Sequence, residues 1–203
     1  MIEISMFTGG IFDTNAYLIE GEGILVDAPQ GVAEWVASRG VSLSWLLITH
    51  GHIDHVVEAA RIKREHGCKV AYHADGIPML TDADFFKKLG FGWEIEPVEA
   101  DRLIDESPRE EFAGIAFQTL LVPGHCPGSL CFFQKESGTL FGGDVLFAGG
   151  VGRWDLPGGD SDLLFSGIRS KIYTLDPEVK VLPGHGPMTT VGRERESNPF
   201  VRP

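Results

Sequence analysis

Between Thr49 and His55 the chain reads Thr-His-Gly-His-Ile-Asp-His, which puts three imidazoles and one carboxylate within six residues. Neutral imidazole and carboxylate are ligands for zinc and for similar divalent transition metals. A lone histidine on a loop is more often a surface residue. Four donors packed into one tight turn are hard to explain without a metal. Two further segments, Leu121-Val-Pro-Gly-His125 and Val181-Leu-Pro-Gly-His185, repeat one device: an apolar strand, a Pro-Gly turn, then a histidine. Phe141-Gly-Gly-Asp144 lies between them and delivers a carboxylate after two glycines. Five of the seven histidines thus fall at strand ends beside tight turns, where chance placement would scatter them.

The set His50, His52, Asp54, His55, His125, Asp144 and His185 is too large for one tetrahedral zinc and suits two divalent ions per chain. Zinc comes first, with iron or manganese accepted by the same donors. Asp144, able to offer two oxygens, is the candidate bridge. Asp54 is a candidate metal ligand and proton acceptor. Two ions roughly 3.5–4 Å apart trap a water, lower its pKa towards neutrality and polarise a carbonyl or phosphoryl oxygen. No Gly-x-Ser-x-Gly elbow competes for the nucleophile, and no Gly-Lys-Ser/Thr follows the glycines.

Several other residues carry two readings each. Asp27 closes a strand before a proline and is either a turn residue or the group that orients a ligand imidazole. Arg153 either grips a substrate carboxylate or pairs with Asp155 or Asp160, and the pairing is favoured. Cys126, beside His125, is either a redox-sensitive thiol near the metals or a small buried filler, as Cys68 and Cys131 are taken to be. His66 suits a helix C-terminus, and His73 follows a strand with no evident partner. Neither is expected to bind a metal.

These residues need elements to hold them. Ala16–Glu20 and Gly23–Asp27 read as strands joined at Gly21-Glu22, a hairpin signal. A helix runs from Val32 to Arg39 and stops at Gly40. Trp45–Thr49 has the continuous apolar pattern of a strand buried on both faces and delivers His50 at its end. A helix over Asp54–His66 follows, with Val56, Val57, Ala60 and Ile62 partly buried and Gly67 as its C-cap. Strand-like runs recur at Phe112–Val122, Leu130–Gln134, Thr139–Phe141 and Val179–Leu182. Ser161-Asp162 caps a helix with Leu163, Leu164, Ile168 and Ile172 on one face. Sheets with helices outside predict an α/β sandwich of two similar halves. Residues 84–111 are the least regular stretch, with Phe85, Phe86, Phe91 and Trp93 ahead of an acidic run. They form either a lid over a substrate site or, as favoured, a loop and a small helix that tuck their aromatics into the core edge.

Composition narrows the function classes. A chain of 203 residues can bury a substantial core, and 43% hydrophobic with 23% charged residues is an ordinary globular balance. A net charge of −12 disfavours nucleic acid and anionic membranes as partners. The densest basic stretch, Arg61-Ile62-Lys63-Arg64, reads as the exposed face of a helix. No apolar run approaches the roughly 18 residues of a membrane helix, and the start lacks a basic leader. Three cysteines do not make a disulfide framework in a chain this long. Cytoplasm is the default compartment; oligomeric state is not legible.

The order His50-Gly-His52-Ile-Asp54-His55, His125, Asp144, His185, with Asn15-Ala-Tyr-Leu near the start, resembles the metallo-β-lactamase fold superfamily. The resemblance implies a four-layer αββα sandwich with the metals at one edge of the sheets. It implies a first metal on His50, His52 and His125, a second on Asp54, His55 and His185, and Asp144 between them. Lactam-cleaving relatives often carry Cys where Asp144 stands, and the flavodiiron branch carries Glu where His52 stands. Nuclease branches add segments for which this short acidic chain has no room. The segment Gly143–Asp160 and the terminal Ser197-Asn-Pro-Phe200 are similar to compact bacterial glyoxalase II, a thioesterase acting on S-lactoylglutathione. On that resemblance residues 1–203 form a single metallo-hydrolase domain that cleaves a small acyl thioester. No separate C-terminal helical domain of the kind that grips glutathione in larger glyoxalases II is expected. The alternatives are a persulfide dioxygenase with one iron on His50, His125 or His52, and Asp144, or a lactone or ester hydrolase on the same site.

Overall fold

The computed structural model describes residues 2–203. Strands β1 (Ile4–Gly9), β2 (Thr14–Ile19) and β3 (Ile24–Val26) pair antiparallel, and β4 (Trp45–Leu47), β5 (Lys69–His73) and β6 (Arg102–Ile104) join in parallel, giving a six-stranded sheet in chain order. Parallel neighbours need crossovers. These are supplied by α1 (Val32–Arg39), by α2 (Ile53–Val56) with α3 (Ala59–His66), and by α4 (Ile77–Thr81) with α5 (Phe85–Lys88). The second six-stranded sheet is built from β7 (Ser107–Phe112), β8 (Ile115–Leu121), β9 (Leu130–Gln134) and β10 (Thr139–Gly143). A two-stranded hairpin of β11 (Leu146–Phe147) and β12 (Gly150–Val151) leads to α6 (Ser161–Gly167) and a π-helical turn, Ile168–Ile172. The chain then returns as β13 (Lys180–Pro183), parallel to β10, and closes with β14 (Thr189–Thr190) and α7 (Val191–Ser197). The second sheet is ordered β14-β13-β10-β9-β8-β7.

Alternation along the strands sorts the apolar side chains into three cores. Ala16, Leu18, Leu25, Leu46, Val70 and Tyr72 face the helices of the first half. Their neighbours Tyr17, Ile19, Ile24, Val26, Leu47 and Ala71 face the opposite sheet, where they meet Phe117, Leu130, Phe132, Phe141 and Leu182. Leu120, Cys131, Phe133, Leu140 and Val181 look outward under Leu164, Ile168 and Ile172. Strands buried on both faces read as continuous apolar runs for this reason. The architecture is the expected αββα sandwich of four layers.

Several elements depart from the sequence reading. β1 lies before the first strand read from the pattern. The helix over Asp54–His66 is two helices, because the Ala28 N–H takes the His55 carbonyl at 2.7 Å and the Glu58 N–H turns to the Ala28 carbonyl at 3.0 Å. Both groups are thereby lost to a continuous helical ladder. The run Phe112–Val122 holds one strand, β8, which starts later than read because Phe112 ends β7 and the chain turns at Ala113 and Gly114 with φ of 48° and 83°. The cap of α6 is Asp160, whose carboxylate accepts from the Asp162 and Leu163 N–H groups, and Leu163 lies half exposed instead of on the buried face. The basic stretch of α3 does face water, and its cations are taken up by Glu34, Glu65, Asp101 and Glu96. No helix among the described residues is long and apolar enough to cross a membrane.

Phe117 sits between the sheets against Phe112, Phe132 and Phe141. Phe117→Ala should cost about 3–5 kcal/mol of unfolding free energy in urea. Leu163→Ala should stay within about 0.5 kcal/mol. Equal effects of the two would mean that the inter-sheet layer is not a packed core.

Candidate metal centre

All seven donors sit at or just beyond strand ends along one edge of the sandwich. β4 runs into His50. His52 then occupies the position before α2, and Asp54 and His55 stand in that helix's first turn. His125 follows β8, Asp144 follows β10 and His185 follows β13. β10 and β13 are parallel, so both deliver their residues to the same side. Backbones approach closely there. A Cβ on Gly184 would strike the Asp144 carboxylate and the His55 ring, so only glycine fits before His185.

The ring nitrogens are oriented from behind. His125 Nδ1 donates to the Arg153 carbonyl at 2.7 Å and His185 Nδ1 to the Phe12 carbonyl at 3.0 Å. A carbonyl can only accept, so each Nδ1 holds a hydrogen and each neutral ring turns an Nε2 lone pair into the site. His55 Nδ1 is fixed by Asp27 Oδ2 at 2.8 Å. Asp27 also accepts from the Thr49 N–H and Oγ1, both at 2.8 Å, and Thr49 Oγ1 lies 3.1 Å from His50 Nδ1. Asp27 thus sits in a turn with φ of 62° and also hydrogen-bonds an imidazole. Asp27 is 2% exposed and its carboxylate is fully engaged, as a buried charge requires.

The donors assemble into overlapping groups. His50, His52 and His125 offer atoms all within 4.8 Å of one another, as do Asp54, His55 and His185, while His50, His55 and Asp144 form a third group linking the two. In the first group His52 Nδ1 lies 2.8 Å and His50 Nε2 3.2 Å from His125 Nε2. Asp144 stands between the groups: Oδ1 is 3.4 Å from His55 Nε2, and Oδ2 is 3.5 Å from His125 Nε2 and 3.3 Å from His185 Nε2. Asp54 Oδ2 is 3.3 Å from His185 Nε2 and accepts from Thr14 Oγ1 at 2.7 Å. His55 Nε2 and Asp144 Oδ1 are buried and have no hydrogen-bond partner. Converging lone pairs and two orphaned buried atoms fit a His/Asp donor set for divalent cations.

Electrostatics make the same demand. Burial lowers His50, takes His52 down to about 3 and lowers His125, so these rings stay neutral. Burial also opposes charge at Asp54 and Asp144. The charge of His55 and the hydrogen bond from His185 outweigh it, holding Asp54 at about 2 and Asp144 well below the carboxylate range. Conversely, burial disfavours a proton on His55 and His185, but the surrounding carboxylates win. Asp144, Asp27 and Asp54 raise His55 well above an ordinary imidazole, and the hydrogen bonds of Asp144 and Asp54 lift His185 to about 10. The carboxylate side of the cluster calls for positive charge.

Three outer residues resolve differently. The Arg153 guanidinium makes two 2.8 Å bonds to Asp155, and only its backbone carbonyl reaches the donor set. Asp160 is the α6 cap and not its partner. Cys126 is a filler: it is buried on Met79, and burial pushes its thiol up to about 12. His73, the last residue of β5, is not partnerless; it accepts from the Asp75 N–H and faces Asp105. Sequence reasoning missed Thr14, which holds Asp54, and Thr49, which links Asp27 to His50. It also missed the carbonyls of Phe12 and Arg153. A threonine at a strand end is a weak signal, and a carbonyl carries none.

Above the donors lies a cavity of about 530 Å³, walled by Phe12, Phe85, Phe86, Phe91, Trp93 and Phe147 among others. The aromatic segment is therefore not confined to the core edge. Only Phe86 is fully buried, while Phe91 and Trp93 stack at 5.8 Å over the opening.

The model of the Metallo-beta-lactamase superfamily matches residues 9–185. The chain is 36% identical to the hydroxyacylglutathione hydrolase GloC of Haemophilus influenzae over 94% of this chain and 93% of that protein. It is 33% identical to the probable metallo-hydrolase YqgX of Bacillus subtilis over 95% of this chain and 94% of that protein. Among solved structures, TTHA1623 in a di-iron-bound form matches with a TM-score of 0.85 at 37% identity, covering 97% of this chain and 100% of that one. The BLEG-1 B3 metallo-beta-lactamase matches with a TM-score of 0.91 at 29% identity, covering 98% and 99%.

Two outcomes follow from the geometry. Asp27→Asn keeps the shape but removes the charge behind His55, and should weaken metal binding about 10–100-fold in competition with a chromophoric chelator. Unchanged affinity would show that His55 needs no carboxylate behind it. Metal-free His185 keeps its proton up to about pH 10, so loading at pH 7 must displace it. Calorimetry in buffers of differing ionisation enthalpy should report proton release, and affinity should fall as pH falls. Proton-neutral binding would contradict the arrangement.

Proposed function

Because the chain belongs to the metallo-beta-lactamase superfamily, we propose that this metallo-hydrolase carries a two-cation centre and cleaves acyl thioesters, with residues 1–203 as one catalytic unit. One observation carries the reading: a buried carboxylate, Asp144, lies between two histidine-containing donor groups, with Oδ1 towards His55 and Oδ2 within 3.5 Å of both His125 and His185. His50, His52 and His125 would hold one cation, Asp54, His55 and His185 the other, and Asp144 would bridge them. Divalent cations there supply Lewis acidity, which polarises a carbonyl oxygen and makes hydroxide available near neutral pH. Zinc is the first candidate, and iron is the alternative suggested by the di-iron form of TTHA1623.

The chain's own groups favour a thioester. The titratable residues lining the cavity are the donors His52, Asp54, His125, Asp144 and His185, together with Arg153. Among the described residues that line it there is no lysine, tyrosine or glutamate to protonate a poor leaving group. A thiol has a pKa near about 8.5, so its thiolate departs with little help, whereas an amide nitrogen needs a proton. A lactam, the substrate class that the name of BLEG-1 brings to mind, is thus less well served. Thr14 and His185 engage Asp54 Oδ2, which leaves Oδ1 to accept a proton from the attacking water and release it to the departing sulfur.

Elemental analysis of protein purified without chelator should find about two divalent ions per chain. The loaded protein should release thiol from S-lactoylglutathione or another glutathione or coenzyme A thioester. Asp144→Asn should lower kcat by on the order of 10³ or more, the loss of several kcal/mol of transition-state stabilisation. If the loaded protein turns over no thioester, the thioesterase reading falls. One iron per chain, with oxygen uptake on glutathione persulfide, would replace it by a mononuclear dioxygenase.

A further inference from the structure

The walls of the cavity above the donors say more about the substrate than the donors do. Phe12 comes from the turn between β1 and β2, Phe147 from the β11–β12 hairpin, and Phe85, Phe91 and Trp93 from the segment around α5. Phe12 packs edge-on to Trp93 at 5.7 Å, and Trp93 stacks with Phe91. These rings are not core residues with a grazed edge. Phe12 is 46% exposed, and Phe91 and Trp93 are each 37% exposed, at the mouth of a cavity whose volume suits a small organic ligand. Apolar surface left in water beside a reactive centre marks a binding wall.

Cations are scarce around it. Among the described residues Arg153 is the one arginine or lysine lining the cavity, and its guanidinium is committed to Asp155 by two hydrogen bonds. Lys87 pairs with Glu94 and Asp84, and Lys88 with Asp82, so the lysines of α5 are neutralised in place. Residues 82–101 carry six carboxylates and only those two lysines, with Glu96 and Asp101 paired to Arg64 and Lys63 of α3, and the whole chain has a net charge of −12. A glutathione conjugate brings two carboxylates, and a coenzyme A thioester brings phosphates. Bringing such groups to an apolar wall costs desolvation, with no free lysine or arginine among its described lining residues to offset it.

We propose that the site selects acyl thioesters with an apolar, aliphatic or aromatic acyl chain on an uncharged thiol, the chain lying against Phe91, Trp93 and Phe12. The inference rests on the thioesterase reading above and narrows it to one substrate class.

The test uses metal-loaded protein and three thioesters: octanoyl-N-acetylcysteamine, octanoylglutathione and S-lactoylglutathione. kcat/KM for the first should exceed that for the last by at least about tenfold, as apolar pockets discriminate by such factors, with octanoylglutathione between them. Trp93→Ala, and Phe91→Ala as a second variant, should shrink that ratio severalfold, chiefly through KM. Equal or better turnover of S-lactoylglutathione overturns the substrate class and leaves the thioesterase reading standing. A ratio unmoved by both variants overturns the assigned wall. If none of the three is cleaved, the thioesterase reading fails, and binding then decides the class. Calorimetry with uncleavable N-acetyl-S-octylcysteamine against S-methylglutathione should favour the uncharged thioether about tenfold. Equal or weaker binding of it overturns the proposal.

Discussion

Two carboxylates, the half-buried Asp54 and the buried Asp144, face the imidazoles of His55 and His185 at 3.3–3.5 Å. With His55 Nδ1 committed to Asp27 and His185 Nδ1 to the Phe12 carbonyl, each ring can turn only Nε2 towards those carboxylates. Lone pairs then oppose anionic oxygens unless positive charge lies between them. Without metal, protons supply it, which is why the two histidines are so basic. Divalent cations supply it better, because one ion answers several donors at once. The rest of the site is arranged around that requirement.

The sandwich meets it by bringing distant strand ends to one edge. Each sheet face is apolar, so register is fixed by burial, and a slip of one residue would turn every core side chain towards the wrong layer. That stiffness carries over to the residues just beyond β4, β10 and β13. The same strands that bury Leu47, Phe141 and Leu182 between the sheets present His50, Asp144 and His185 a few residues later. β2 adds a second tie: the Asn15 N–H and side chain hold the carbonyls of Gly184, Pro183 and Gly186, and Tyr17 also donates to Pro183. The loop bearing His185 is therefore anchored to the opposite sheet.

Behind the second hairpin lies a comparable anchor. Glu194 on α7 is fully buried and accepts from the Gly149 N–H and from Thr189, while Asn198 donates to Glu194 and to the Gly150 carbonyl. This network holds the β11–β12 hairpin, and with it Phe147, at the cavity. The aromatic wall is thus fixed from that side by a satisfied polar cluster. On the other side it is carried by the short α4–α5 segment, whose surface ion pairs contribute little stability of their own.

Much of this was legible in the chain. The donor residues stand out because each depends on local grammar, an apolar strand ending in a tight turn, and local grammar survives in a linear text. The burial of β4 on both faces also follows, since Trp45–Thr49 is a continuous apolar run. What the sequence did not carry were interactions between distant segments. The Ala28 backbone splits one helix into two, and the carbonyls of Phe12 and Arg153 choose the tautomers of His185 and His125. Backbone groups are the same at every residue, so no residue type announces them. The sequence reading favoured tucking Phe91 and Trp93 into the core edge, because an aromatic gains from burial against any apolar neighbour, whereas they line the cavity. The sequence by itself determined which atoms are available to bind a cation. The tertiary structure decided which face each other, in which protonation state and under which wall, because those depend on contacts between residues far apart in the chain.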